Sequence, residues 1–365
     1  MEIKQNTLYL TSAGSYVSRD HLTLRVEIEK QTRLAVPIHH LESVCIFGNG
    51  IQLSPPALQL CWEHGVPVNY LSESGYLLGR WEAVPNTSVL LRRAQYRAAD
   101  DIAKAGLIAR QCVAGKLQNS RQSLLRSARE NTNENEREQL QSTAEEIAVL
   151  LRRLERLEFD PADAETDAEQ QAPQPTFRNR MDSIRGYEGQ GASLYFEAFN
   201  LHLKQQREEF TFAKRSRRPP LDAINCLLSY LYALLRHDCV AALTCTGLDP
   251  FVGYLHAERP NRPALALDLM EEFRPWLADR LAITLINRKQ ITVEDFDFRE
   301  GGAVEFTKAG RKAVITAYQT RKQDVLTHPL LEQEFRIGQL MLVQARILAR
   351  HLRGDLTEYL PFVPR

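Results

Sequence analysis

Three short stretches of the sequence place an acid or a histidine beside residues that favour unusual backbone. The first, residues 185–191, has three glycines within six positions and Glu188 among them. Because glycine lacks a Cβ, this spacing predicts a tight turn just before a helix, with Glu188 at or near the helix start. A carboxylate there can act on a substrate that the glycines admit, or it can stabilise the helix dipole. The stretch alone leaves both interpretations open.

The second stretch, residues 247–256, ends in a histidine. Asp249-Pro250 and Gly253 predict a loop between two helices, and His256 closes that loop among aromatic and apolar residues. A histidine can serve as a metal ligand or as an acid–base group. A single histidine in this setting is also compatible with a purely structural role.

An acidic pair marks the third stretch, residues 267–275. Asp268 and Glu271 are three positions apart, so they share one helix face, and their neighbours are apolar. Two buried like charges repel unless a cation or another partner offsets them. The pair therefore indicates either a bound metal or a salt bridge to a nearby arginine, while Glu272 is predicted to be an ordinary solvated charge. The candidate arginines are Arg259, Arg262 and Arg274.

Glu188, His256 and Glu271 together offer two carboxylates and one imidazole. This donor set suits a hard or borderline divalent cation such as Mg²⁺ or Mn²⁺. Such a metal can polarise a phosphodiester and stabilise the leaving oxygen. No cysteine is placed to favour zinc. Spacing alone, however, does not join the three residues into one site.

Two regions of different character must position these residues. The first 84 residues contain short runs rich in β-branched and aromatic residues, and they predict a small β domain with one helix after Ser54-Pro55-Pro56. Residues 85–365 predict a larger, all-α domain, interrupted at about 159–175 by an acidic segment predicted to be a mobile loop. The chain is therefore predicted to be an α+β protein. The helices with the clearest periodicity cover residues 90–157, 192–209, 221–246, 264–286 and 330–353.

Charge gives only local support for nucleic-acid binding. The chain has 365 residues, with 46 Lys+Arg against 46 Asp+Glu, so DNA binding must depend on patches rather than on net charge. Phe210 and Phe212 lie within the main patch and are predicted to stack on bases where duplex ends are splayed. Each basic residue has a simpler alternative, a solvated helix face. The candidates for phosphate contacts are Lys204, Arg207, Lys214, Arg215, Arg217 and Arg218, with a second group of Arg92, Arg93 and Arg97.

The sequence contains few features that indicate a cellular compartment or a bound cofactor. The six cysteines form no CxxC pair, the N-terminus lacks the apolar region of a signal peptide, and no run of about 18 apolar residues predicts a membrane span. These features predict a cytoplasmic protein with reduced thiols and no membrane contact. The nucleotide-binding pattern GxxxxGK[ST] is absent from the sequence.

Several ordered motifs resemble the CRISPR-associated endonuclease and integrase family, the first-numbered of the universal adaptation proteins. The resemblance spans nearly the whole chain, and the ending at residues 359–365 resembles subtype I-C. It implies a β-sandwich-like N-terminal domain and a larger α-helical catalytic domain. The motifs are the β-rich N-terminal region, residues 187–192, residues 217–220 with Asp222 and Asn225, residues 228–230, residues 247–256 and residues 268–275.

The resemblance also implies the roles of the candidate residues. Glu188, His256 and Glu271 match the family's metal ligands, with Glu271 in place of an aspartate found in some members, and Asp268 matches a further acidic position close to the metal or the substrate. The implied reaction inserts short foreign DNA fragments into a CRISPR array by attack of a 3′-hydroxyl on a phosphodiester. The implied partners are double-stranded DNA with single-stranded ends, a second copy of the chain and a small second adaptation protein.

Two other functions remain open at this point. One is a helical DNA-binding scaffold with a degenerate site, which needs no metal and joins no strands. The other is a helical metal phosphohydrolase for small substrates, which leaves the basic run at Arg217 and Arg218 unexplained.

Overall fold

The computed structural model describes residues 2–4, 7–41, 43–48, 50–72, 77–81, 83, 89–157 and 177–364. The predicted acidic loop at about 159–175 lies outside these residues. Two units are present: Met1–Asn86 with Ile315–Asp324, and Thr87–Val314 with Val325–Arg365. The predicted α+β class is confirmed. The predicted division after residue 84 lies close to the first unit's main boundary, but that prediction did not include residues 315–324 in the first unit.

The described residues between 2 and 81 form nine strands, one α-helix and one short 3-10 helix, Ile38–His40. One sheet has the order β1-β2-β6-β8-β9, in which β2, β6 and β8 run parallel, and a second has the order β5-β4-β3-β7. The elements are β1 (Glu2–Lys4), β2 (Thr7–Leu10), β3 (Ser15–Asp20), β4 (Thr23–Ile28), β5 (Gln31–Pro37), β6 (Ser43–Phe47), β7 (Gln52–Leu53), α1 (Pro55–Glu63), β8 (Val68–Leu71) and β9 (Leu77–Trp81).

One hydrophobic core joins both sheets and α1. Alternating residues such as Val17, Leu24 and Val26 are fully buried with residues of β2, β6 and β8. The helix begins as its sequence predicts, because the Ser54 hydroxyl accepts a hydrogen bond from the Ala57 amide at 3.3 Å and proline occupies the first turn.

Helices of seven to 29 residues dominate the second unit. They include α2 (Val89–Asp100), α3 (Ile102–Glu130), α4 (Glu134–Glu155), α5 (Phe177–Glu197), α6 (Ala223–Thr246), α7 (Ala264–Met270), α8 (Arg280–Asn287), α9 (Lys308–Gln323, whose last part belongs to the first unit) and α10 (Leu340–Leu352). Two antiparallel hairpins accompany them, β10 (Phe296–Phe298) with β11 (Val304–Phe306) and β12 (Val325–Thr327) with β13 (Glu334–Arg336). The all-α prediction for this region is therefore wrong.

Three predicted helices have other bounds in the structure. The helix predicted at 192–209 begins earlier, at Phe177. It ends at Glu197, and the last begins only at Leu340, because β12 and β13 occupy the residues before it. The predicted helix 264–286 is divided by a π-helix, Arg274–Asp279, whose second residue is Pro275. Proline cannot donate the backbone hydrogen bond of a continuous α-helix, so the local hydrogen-bond pattern changes there.

Helix α6 is the central core helix of the second unit. Among the described residues it is the one helix long and apolar enough to cross a membrane, but 67% of its most apolar window is buried inside the protein. Such a helix is common in the interior of a large domain. It ends at Gly247, whose positive φ of 89° suits a left-handed helix cap.

Candidate active site

Four elements of the second unit bring charged side chains to one place. Helix α5 supplies Glu188, the segment before α7 supplies His256, and α7 and its end supply Asp268 and Glu271. Helix α3 adds Lys116, which sequence reasoning did not identify. Lys116 bridges Glu188 and Glu271, and His256 lies beside Glu271.

Lys116 lies between the two candidate carboxylates. Its ammonium contacts Oε1 of Glu188 and lies 2.8 Å from Oε2 of Glu271. The side chains of Lys116 and Glu271 are only 9% and 1% exposed, so this positive charge is held away from bulk water, whereas Glu188 is 30% exposed. The lysine offsets the repulsion that two adjacent carboxylates would otherwise have.

Glu271 is ionised by its cationic neighbours. The Arg274 guanidinium lies 3.1 Å from Oε1, and Nε2 of His256 lies 3.7 Å from the same oxygen. Burial alone would raise the pKa of Glu271, but Arg274 and Lys116 lower that pKa to about 2. Oε2 accepts no hydrogen bond of regular geometry from the described residues. This buried oxygen has the Lys116 ammonium, 2.8 Å away, as its ionic partner.

Asp268 fixes the loop that carries His256. Its Oδ2 accepts hydrogen bonds from the amides of Tyr254 and Leu255 at 2.6 and 3.0 Å. Its Oδ1 accepts the His256 amide at 3.0 Å and lies 2.7 Å from Nδ1 of the ring. A carboxylate on Nδ1 favours the tautomer that leaves Nε2 free, and it fixes the ring orientation. Asp268 is thus a positioning residue, which refines its predicted place close to the metal or the substrate.

Gly253 makes this loop possible through its lack of a side chain. A Cβ at this position would lie 2.7 Å from the backbone carbon of Ala264 and 2.8 Å from Oδ2 of Asp268. Any other residue would therefore displace the loop from the carboxylate that holds it.

The setting predicted for Glu188 is wrong. The three glycines form no turn; they lie inside α5, and Glu188 is in its middle rather than in its first turn. Gly191 is buried, and a Cβ there would meet Cδ2 of Leu117 at 2.1 Å. The glycine therefore lets α5 approach α3 closely enough for Glu188 to reach Lys116. The alternative of a helix-dipole glutamate is excluded by the same observation.

Glu272 is also unlike its prediction. It is 1% exposed rather than solvated. Burial raises its pKa to about 7, although hydrogen bonds from the Phe362 amide, Tyr359 and Gln344 favour the ionised form. The sequence carries no local sign of this burial, because the covering residues lie near the C-terminus.

A cleft opens beside Glu188 and Lys116. Tyr232 at its edge donates a hydrogen bond to Oδ1 of Asp279 at 2.6 Å, and the Arg274 guanidinium lies 5.1 Å from the Tyr232 ring centre. Burial raises the pKa of Asp279 to about 6. The lining is Lys116, Ser120, Glu188, Ala192, Tyr195, Phe196, Arg217, Tyr232, Arg274, Pro275 and Asp279. One predicted DNA-binding residue, Arg217, therefore reaches the site.

The other predicted basic residues have different environments. Lys214, Arg218, Arg93 and Arg97 are exposed, as is Arg217. Arg215 is instead directed inward, where it donates hydrogen bonds to the Asn225 side chain and to Oγ of Ser229. The remaining candidates have partners within the chain: Lys204 pairs with Glu130, Arg207 with Glu136, and Arg92 donates to the Gly247 carbonyl.

Base stacking by Phe210 and Phe212 is excluded by their burial. They are 1% and 4% exposed. Phe210 packs edge-on against Phe296 with ring centres 5.9 Å apart, and Phe212 stacks on Phe196 at 5.5 Å. These phenylalanines form the core beneath the basic segment rather than part of its surface.

The side chains of Glu188, His256 and Glu271 are of the right chemical types to bind a divalent metal, but they do not surround a common point in the structure. Within the described part of the chain, no three His, Cys, Asp or Glu side chains are close enough to hold one ion as they stand. The Lys116 ammonium lies between Glu188 and Glu271 and shows that this position favours positive charge. Two carboxylates with an imidazole nitrogen are suitable ligands for Mg²⁺ or Mn²⁺.

Comparisons with known proteins identify the family of this chain and relatives of its fold. The family model described as CRISPR associated protein Cas1 matches residues 8–320. A CRISPR-associated endonuclease Cas1 of Moorella thermoacetica is 45% identical over 365 residues, covering 100% of each chain. The fold is similar to that of a casposase bound to integration product, with a TM-score of 0.79, 22% identity and coverage of 98% and 93% of the two chains. It is also similar to a chain of a Cas6-RT-Cas1–Cas2 complex, with a TM-score of 0.77, 24% identity and coverage of 100% of this chain and 36% of the other.

The prediction of a nuclease is confirmed by this level of identity over the full length. The alternative of a degenerate scaffold finds no support in these comparisons, because the relative that covers the full chain is named as an endonuclease. The chain belongs to the Cas1 family of CRISPR-associated endonucleases.

Proposed function

We propose that this protein inserts short DNA fragments into a CRISPR array, through attack of a fragment's 3′-hydroxyl on a phosphodiester. Water in place of the hydroxyl gives endonuclease cleavage. The observation that carries the proposal is the convergence of Glu188, His256 and Glu271 beside Lys116 and Arg274 in a member of the Cas1 family.

The proposed metal is Mg²⁺ or Mn²⁺, held by Glu188, His256 and Glu271. When bound, it polarises the phosphodiester and lowers the barrier to attack on phosphorus. Asp268 keeps Nε2 of His256 directed at the site. Lys116 and Arg274 add positive charge where a phosphate gains negative charge during displacement. Glu271 stays ionised at all physiological pH values because of these two cations.

The proposed DNA interface begins at the cleft. Arg217 lines the cleft, and Lys214 and Arg218 are exposed on the same segment. Contacts of this kind bind the sugar–phosphate backbone with little base specificity and weaken with salt. We propose double-stranded DNA with single-stranded ends as the substrate, which agrees with a similar fold in a casposase bound to integration product.

The proposed assembly contains a second copy of the chain and a small second adaptation protein. Support comes from the similar fold of a chain in a Cas6-RT-Cas1–Cas2 complex. We further propose a cytoplasmic location and membership of subtype I-C, the latter on the resemblance of residues 359–365.

A strand-joining assay tests the function. A duplex with 3′-hydroxyl ends is incubated with a repeat-containing target, with and without Mn²⁺ or Mg²⁺. We expect joining only with metal, and a loss of at least about 10³-fold in Glu188→Gln, His256→Ala and Glu271→Gln. The exposed glutamate variant Glu305→Gln is the matched control and should join at the wild-type rate.

Three outcomes separate the alternatives. Full activity in all three site variants would show that the site assignment is wrong. DNA binding without metal-dependent joining would favour the scaffold. Hydrolysis of small phosphate esters without action on DNA would favour the phosphohydrolase.

A further inference from the structure

The C-terminal segment makes specific contacts directly behind the candidate active site. Phe362 is fully buried and stacks on Phe273 with ring centres 5.4 Å apart and an interplanar angle of 18°. It also packs edge-on against Trp276 at 5.0 Å. These aromatic residues lie within five positions of Glu271, so the segment is anchored to the part of the chain that carries this acid.

Glu272 is the polar centre of this contact. The Phe362 amide donates to Oε2 at 2.6 Å, and the Tyr359 hydroxyl donates to Oε1 at 2.9 Å. Gln344 of α10 donates longer hydrogen bonds to both oxygens, at 3.3 and 3.4 Å, and to the Leu360 carbonyl at 3.1 Å. A buried carboxylate with several donors in a fixed arrangement restricts the orientation of its own backbone.

The same segment reaches α3 next to Lys116. Asn119 donates to the backbone carbonyls of Glu272 and Phe362 at 2.7 and 2.9 Å. A Cβ at Gly115 would lie 2.7 Å from Cβ of Pro361 and 3.2 Å from Cβ of Glu272. The backbone of α3 at Gly115 therefore packs directly against the side chains of Pro361 and Glu272, one position away from Lys116 and one position away from Glu271.

We propose that Glu272 and the C-terminal segment 359–362 are positioning residues for catalysis, which set Glu271 and Lys116 relative to each other. Glu271 and Glu272 are consecutive, so a fixed Glu272 determines where the neighbouring carboxylate can lie. The contact of Pro361 with Gly115 likewise restricts where the side chain of Lys116, the next residue, can lie. The catalytic role of Glu271 itself rests on the proposed function.

Four full-length variants test this role. Glu272→Ala removes the acceptor, and Tyr359→Phe removes one donor without changing the ring. Glu272→Gln keeps an oxygen for the Phe362 amide and offers an NH₂ that the Tyr359 hydroxyl can accept. Tyr318→Phe is the matched control, at an equally buried tyrosine of the first unit.

Single-turnover rates of cleavage and joining are measured at saturating DNA and Mn²⁺, beside the DNA dissociation constant. We expect a rate loss of about 10²-fold in Glu272→Ala, since displacements of about 1 Å can have this effect. Tyr359→Phe should lose roughly 10-fold, and Glu272→Gln and Tyr318→Phe should stay near the wild-type rate. DNA affinity should be unchanged in all four.

The proposal is overturned if Glu272→Ala and Tyr359→Phe react at the wild-type rate, or if DNA affinity falls as much as the rate. It is also overturned if Glu272→Gln is as slow as Glu272→Ala. Should Glu272→Ala fail to fold, Tyr359→Phe decides alone.

Amide hydrogen exchange over residues 264–274 separates this inference from the proposed function. Exchange needs no activity, and we expect it to be faster in Glu272→Ala and Tyr359→Phe than in the wild type. Unchanged exchange would contradict the positioning role. If the wild type joins no strands but the two variants still exchange faster than the wild type, only the proposed function is contradicted and the positioning role stands.

Discussion

Two consecutive glutamates, both 1% exposed, have opposite electrostatic surroundings. Glu271 faces Lys116 and Arg274, and its pKa falls to about 2. Glu272 faces an amide, a hydroxyl and a carboxamide, and burial raises its pKa to about 7. Burial is thus the same for both, and the partner decides the charge state. The cationic side of this turn, Glu271 with Lys116 and Arg274, is suited to binding charged groups. The other side, Glu272 with its uncharged donors, is suited to fixing the C-terminal segment against the turn.

Replacing Lys116 tests the cationic side most severely. Lys116→Met leaves Glu188 and Glu271 adjacent without the cation between them. We expect the free energy of unfolding to fall by about 3 kcal/mol in the absence of divalent metal, because breaking a buried ion pair leaves an uncompensated charge. Chemical denaturation with chelator present measures this loss.

An exposed lysine gives the control for that experiment. Lys104 pairs with Asp101 but is 66% exposed, so Lys104→Met should change stability by less than about 1 kcal/mol. If the site binds metal as proposed, Mn²⁺ should stabilise Lys116→Met more than the wild type. Equal losses in the two variants would show that Lys116 is not a buried counter-charge.

The pH dependence of stability sharpens the comparison. Glu271 has a lowered pKa, so its contribution is present above its ordinary value of 4.5 and is lost as pH falls towards about 2. Glu272 has a raised pKa, so the folded state binds more protons than the unfolded state between about 4.5 and 7, and stability falls as pH rises through that range.

Urea denaturation at a series of pH values checks both signs. Compared with the wild type, Glu272→Gln should lack part of the decline between pH 4.5 and 7, and Glu271→Gln should lack part of the decline below pH 4.5. Identical pH profiles for the two variants would contradict the assignment of different partners to the two glutamates.

Arg217 tests the outer edge of the cationic side, with the smallest expected effect. Arg217→Gln should weaken DNA binding by a few fold and reduce the slope of log affinity against log salt by about one. Fluorescence anisotropy with a labelled duplex measures both. Arg299→Gln, an exposed arginine paired with Glu305, should leave the slope unchanged; an equal change in both variants would mean that Arg217 makes no specific phosphate contact.

Local patterns were sufficient to predict the class, the main helices and the candidate ligands, and the family motifs joined these ligands into one site. Lys116 could not be found in this way, because Glu188 is 72 residues away and the lysine occupies an ordinary position of a helical pattern. Glu272 was misjudged for the same reason, since the amide that binds it is 90 residues further along the chain. Patterns report which face of a helix is apolar, but not which distant segment covers it.

The glycines near Glu188 drew attention to this glutamate, but the reason predicted for them, a tight turn, is wrong. Glycine is most often informative as a turn former, and the spacing predicted a turn. In the structure Gly191 instead removes volume at the contact of α5 with Leu117. The two uses of glycine look alike in a sequence, because both depend on an absent side chain.

Under the proposed function, the inward orientation of Arg215 has a consequence for the kinetics of DNA capture. Its hydrogen bonds to Asn225 and Ser229 tie the segment that carries Arg217 to helix α6 before any DNA arrives. Immobilising a flexible side chain on association costs about 0.5–1.5 kcal/mol, and an already ordered segment avoids the further loss of backbone entropy. Encounter with DNA should then be governed by long-range charge attraction rather than by a slow ordering step, so its rate constant should depend on ionic strength more than on temperature.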